Sequence, residues 1–114
     1  MAITYFQDTI FSTESTLSAP AAGTPLQVAV NNTFSTSAYT LIVTVASVDT
    51  NVIIKLEGSV DGTNYAPIIA SQTITANGTT VYSVSGRPVK WLRTNWVSEA
   101  GGTAATVTFN IAAA

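Results

Sequence analysis

The last strongly patterned stretch of the chain, Ala105, Val107, Phe109 and Ile111 alternating with Thr106, Thr108 and Asn110, has a period of two and no trace of a period near 3.6. Successive side chains of a strand point to opposite sides of the pleat, so this stretch fits a strand with one buried face. The same alternation recurs at Leu26, Val28 and Val30, at Tyr39, Leu41, Val43 and Val45, and at Val52, Ile54 and Leu56. Abundant Thr, Val and Ile favour strands over helices, and no segment sustains an apolar helical stripe over three turns. The expected class is all-β.

Turn signals divide these runs. Asp61-Gly62 and Asn77-Gly78 are dipeptides that take the positive φ angles of two-residue hairpins, and each is expected to join neighbouring strands. Gly101-Gly102 is expected to turn into the last strand. Pro67 falls within the return run Tyr65 to Ala70 and predicts an edge strand or a bulge there, because proline gives the ladder no donor. In the run Val89 to Val97, Leu92, Thr94 and Trp96 are the expected inward set, leaving Trp91, Arg93 and Asn95 outward; the reverse parity also carries a Trp. Lys55 and Glu57 share one side of their strand and mark it as wet or as a partner surface.

About seven or eight strands spaced roughly 8 to 12 residues apart predict an antiparallel β-sandwich, with a small closed barrel as the alternative. Residues 1–24 mix Thr, Ser, Ala and Pro with isolated apolar side chains, which predicts an extended N-terminal arm ahead of a β-sandwich domain at 25–114. The arm either pairs as an edge strand in its own domain or reaches a neighbouring subunit.

With 114 residues the chain suffices for one domain with a real core. It has no cysteine and no histidine, which removes disulfides, thiol nucleophiles and the commonest general base and metal ligand. The six carboxylates are scattered, and Asp49 and Asp61 sit where turns favour Asp. Asp49, Asn51, Asp61 and Asn64 are oxygen donors at loop ends, but turn chemistry accounts for all four without calcium. No catalytic, cofactor-binding or metal residues are assigned, and the chain is expected not to be an enzyme. A net charge of −2 gives no footprint for nucleic acid. The run Leu41 to Ala46 is too short for a membrane helix, and the start of the sequence lacks a secretory pattern.

Charged residues make up 9% of the chain, against about 25% in ordinary soluble domains. A surface of Thr, Ser, Asn and Ala suits a protein packed against neighbours, with a stable monomer of neutral, hydroxyl-rich exterior as the alternative. Two sets of contact residues are expected: the arm side chains Tyr5, Phe6, Ile10 and Phe11, and the outward pair Trp91 and Arg93. An exposed Trp with Tyr65 and Tyr82 is also the raw material of a sugar-stacking platform.

The segment Leu56-Glu57-Gly58-Ser59-Val60-Asp61-Gly62-Thr63-Asn64-Tyr65, followed by Ile74-Thr75-Ala76-Asn77-Gly78-Thr79, by Val89-Lys90-Trp91-Leu92-Arg93-Thr94-Asn95 and by a Gly-Gly turn before the last strand, resembles small β-sandwich virion proteins of tailed bacteriophages. The resemblance covers residues 38–111. It implies a virion structural protein, in this size range a head decoration or cement protein on the outer surface of the capsid, with the major capsid protein as partner. A symmetric homo-oligomer is expected, a trimer at local three-fold positions first. The alternatives are a tail or baseplate component, and a glycan-binding adhesion module that uses the exposed Trp.

Overall fold

The computed structural model describes residues 10–29 and 36–114. Tyr5 and Phe6 lie outside the described residues, as do Val30 and residues 31–35. The described residues form eight strands: β1 (Ile10–Thr13), β2 (Leu26–Gln27), β3 (Tyr39–Ala46), β4 (Asn51–Ser59), β5 (Ala66–Ile74), β6 (Gly78–Val84), β7 (Trp91–Ala100) and β8 (Thr106–Ala113). All pairs are antiparallel and lie in two four-stranded sheets, ordered β1-β8-β3-β6 and β2-β7-β4-β5.

That order has a simple origin. Strand β1 pairs with β8, β2 with β7, β3 with β6 and β4 with β5, so the chain is one long hairpin doubled back between β4 and β5. Rolling the hairpin up adds the β3·β8 and β4·β7 ladders, which close each sheet. The result is the eight-strand jelly roll, an antiparallel sandwich.

The alternating sets meet between the sheets. Leu41, Val43, Val45, Val52, Ile54, Leu56, Leu92, Trp96, Val107 and Phe109 are buried there together with Tyr39. The inward parity of β7 is the expected one, with Leu92, Thr94 and Trp96 buried. Val28 and Ala29 continue inward beyond the short β2, and Val28 N–H donates to the Lys90 carbonyl at 2.8 Å. The Tyr39 hydroxyl ties down one end of the core: it donates to the Thr36 carbonyl at 2.9 Å and accepts from Val89 N–H at 3.1 Å.

Of the two placements open to the arm, Ile10–Thr13 takes the first. It pairs as an edge strand with β8 of its own chain, from Ile10 opposite Ala113 to Thr13 opposite Asn110. Pro67 lies on the edge strand β5 beside a bulge, where the β4 ladder shifts between Leu56 and Glu57.

Two turn expectations are corrected. Asn77-Gly78 joins no hairpin, because β5 and β6 belong to different sheets. The dipeptide instead carries the chain across the sandwich, and the Asn77 side-chain carbonyl accepts Val48 N–H at 2.9 Å, anchoring the crossing to the β3–β4 connection. Asp61-Gly62 does lie in the one hairpin that the described strands form within a sheet, but β4 ends at Ser59 and β5 begins at Ala66, so the connection is a six-residue loop. Asp61 organises it as a local acceptor. One carboxylate oxygen takes the N–H groups of Thr63 and Asn64 at 2.8 Å each and the Ser59 hydroxyl at 2.9 Å, and the other takes the Asn64 amide at 2.7 Å. Four donors on one carboxylate favour a wide turn over a two-residue one.

Candidate functional site

The two outer faces of the sandwich differ in chemistry. On the β2-β7-β4-β5 sheet, the β4·β7 register sets Lys55 opposite Asn95, Glu57 opposite Arg93 and Ser59 opposite Trp91. Cross-strand neighbours on one face are close enough to bond directly. The Arg93 guanidinium donates through Nε to Glu57 Oε1 at 2.8 Å, Asn95 donates to the same oxygen at 3.2 Å, and Lys55 Nζ lies 3.4 Å from Glu57 Oε2. The Tyr65 ring covers the cluster, with the Arg93 guanidinium carbon 4.2 Å from the ring centroid.

Glu57 is therefore 5% exposed, so the expectation of a wet side holds for Lys55 but not for Glu57. Burial raises its carboxyl pKa, but hydrogen bonds from Arg93 and Asn95 and the charges of Arg93 and Lys55 outweigh burial and hold it below the ordinary value. Sequence reading missed this cluster because its members are 36 and 38 residues apart. The available signal was the shared side of Lys55 and Glu57 on one strand and of Arg93 and Asn95 on another, which the β4·β7 ladder brings together.

Trp91 lies at the start of β7 on this same face, half-buried beneath the 60–65 loop. A side chain at Gly62, where φ is +80°, would meet the indole ring at 3.3 Å, so the absence of one lets the loop rest on the ring. The Lys90 ammonium stands 5.3 Å from the Trp91 ring centroid. Trp91 and Arg93 thus form one continuous outward strip with Lys90 and Lys55. The Tyr65 hydroxyl beside it is buried with no hydrogen-bond partner among the described residues.

The aromatic set considered for sugar stacking is not brought together. Trp96 is in the core with its indole N–H donating to the Ser98 carbonyl, and Tyr82 lies on β6 in the opposite sheet, packed against the core. One face of Tyr65 is taken by Arg93.

The described carboxylates are likewise dispersed. Glu14 accepts the buried Thr94 hydroxyl at 2.6 Å, and Glu99 accepts Ala105 N–H at 3.0 Å. Asp61 is bound up in its own loop, and its hydrogen bonds, led by those from the Asn64 and Thr63 N–H groups, hold its pKa well below the usual range. The Asp49/Asn51 pair and the Asp61/Asn64 pair stand at opposite ends of the nine-residue β4.

On the β1-β8-β3-β6 sheet, Ile10 points inward and packs against the core, while Phe11 points outward and is 77% exposed. Phe11 thus sits on the face opposite to Trp91 and Arg93, so the two expected contact sets belong to two different surfaces.

No family model and no curated protein sequence matches the chain. Among solved structures, the SPBc2 prophage-derived protein YomS matches over 100% of both chains, with a TM-score of 0.63 and 11% identity. A protein of Bacillus endospore appendages, described as disulfide-linked pili, matches over 99% of this chain and 93% of its own at 0.46 and 9%. The Tobacco streak virus coat protein matches over 98% and 89% at 0.48 and 10%. At these identities the likeness to YomS is one of fold.

Proposed function

We propose that this chain is a bacteriophage virion structural protein without enzymatic activity, a head decoration or cement protein that binds the outer surface of the capsid shell. The observation that carries the reading is the end-to-end match of fold with a prophage-derived protein. It is supported by the jelly-roll topology, an architecture common in viral capsids, by the sparsely charged surface, and by the carboxylates of Glu14, Glu57, Asp61 and Glu99, which are engaged in local structure rather than gathered at a cleft.

In this reading the protein stabilises the shell through contacts that exist only in the assembled lattice, which is stabilisation by linkage. The arm residues Tyr5, Phe6, Ile10 and Phe11 and the strip of Trp91 and Arg93 provide contacts to the major capsid protein and to further copies of the chain. Ile10 acts by holding β1 on the sheet, and Phe11 by direct contact. A symmetric homo-oligomer fits repeated sites on a shell.

Quantitative mass spectrometry of purified particles tests the reading. Hundreds of copies per particle, in simple ratio to the major capsid protein, are expected for a decoration protein. A dozen or fewer would move the chain to the tail or baseplate. Absence from particles would overturn the virion reading and leave glycan binding through Trp91 to be tested by retention on a glycan array.

A further inference from the structure

Among the described residues, the outer face of the β1-β8-β3-β6 sheet carries no charge. Its outward positions on all four strands are Thr, Ser, Asn, Ala, Phe, Ile or Val, and none is ionisable. The opposite face holds Lys55, Glu57 and Arg93. A sheet face that stays in water normally carries charge. Here, instead, Phe11 and Val81 stand 77% and 60% exposed.

Several of the polar side chains of this face are already paired within it. The Thr13 hydroxyl donates to the Asn110 side-chain carbonyl at 2.6 Å, Thr44 and Thr79 share a bond at 3.1 Å, and Thr16 and Thr108 share one at 2.8 Å. The cost of covering a polar surface comes mostly from groups left without partners. Pairs made within the face remain intact when it is covered, which lowers the cost of desolvating that part of it.

The face also carries both halves of a fit. Beside the projecting Phe11 is a hollow of about 190 Å³ bounded by Phe11, Thr13, Thr40, Ile42, Asn110 and Ala112. A ring and a ring-sized recess side by side on one surface are self-complementary about a two-fold axis, where the same patch serves both partners. An uncharged face also suits such symmetry, because no ionisable group meets its own copy or is buried unpaired. Strands of four, eight, eight and seven residues, about 4.8 Å apart, give a face of roughly 440 Å² in projection. Before side-chain relief is added, this is a little over half of the roughly 800 Å² per partner of a standard interface.

We propose that this face is the surface through which two copies of the chain associate about a two-fold axis, the Phe11 ring of each seated in the hollow of the other. This deepens the assembly reading by assigning Phe11 a partner, a second copy, and leaving the Trp91 strip on the far side free for the shell.

The test uses the purified full chain, so its outcome is separate from that of particle copy number. Sedimentation equilibrium over micromolar concentrations is expected to give twice the 11.8 kDa chain mass. Ile42→Lys and Phe11→Ser each place a polar group in the seam and are expected to weaken association roughly tenfold or more. Their far-UV circular dichroism should match the parent, because both side chains are on the outer face. Lys55→Ser, on the other face, should leave association unchanged. A monomer at all concentrations, an assembly of any other order, or a dimer indifferent to both substitutions would overturn the proposal.

Discussion

Glu57 joins local chemistry to stability more directly than any other described residue. Its carboxylate is buried on a nominally outer face, and it is affordable there only because Arg93, Asn95 and Lys55 converge on it. Its pKa is lowered in the native state from an ordinary 4.5, so the unfolded chain binds the proton more tightly. The native state therefore gains stability from Glu57 above that ordinary value and loses it as pH falls through the folded value. Asp61 titrates in the same direction, so the acid limb is shared. Denaturant titrations at stepped pH should show stability falling below about pH 4.5 in the parent, with a shallower limb in Glu57→Gln. At neutral pH the same substitution is expected to cost about 1–3 kcal/mol, by weakening a charge-assisted bond and leaving Arg93 short of a partner. The low end is favoured because the Arg93 side chain keeps 30% of its surface in water.

The strands were largely legible in sequence, while their neighbours were not. Tyr39 to Val45, Val52 to Leu56 and Ala105 to Ile111 alternate because each lines one wall of a single core, and that leaves a period of two in the chain. Strand order leaves no such local mark, since it is fixed by pairings such as β1 with β8. Asn77-Gly78 and Asp61-Gly62 therefore read alike, although the first crosses between sheets and the second lies in a wide loop within one. The contact sets were legible as residue types, whereas their division between two faces depends on which sheet each strand joins. Gly101-Gly102 does turn into the last strand, but between sheets, and its two glycines are not equivalent. Gly101 has φ +87°, and a Cβ there would strike the Thr50 hydroxyl and come within 2.9 Å of Asp49. At Gly102 the nearest atom would be Asp49 Cβ at 3.4 Å. Gly101→Ala is expected to lose about 1–3 kcal/mol and Gly102→Ala less than about 0.5 kcal/mol, as read from shifts in denaturation midpoint.

For the whole molecule, topology sets the pace of assembly. In a rolled hairpin, only the β4·β5 pair is local, and every other ladder closes a long stretch of chain, with Thr13 and Asn110 meeting across 97 residues. Such closures cost entropy before contacts repay it. Stopped-flow refolding followed through the buried Trp96 should take milliseconds to seconds, as in other sandwiches of non-local pairing, and not microseconds. The central position of β8, between β1 and β3, also bears on biosynthesis. A ribosome delivers strands from the N-terminal side, so the sheet lacks an inner member until β8 has emerged. Until then the apolar walls of the nascent chain stand open to chaperones and proteases, and a chain halted before β8 has no smaller sandwich to fall back on.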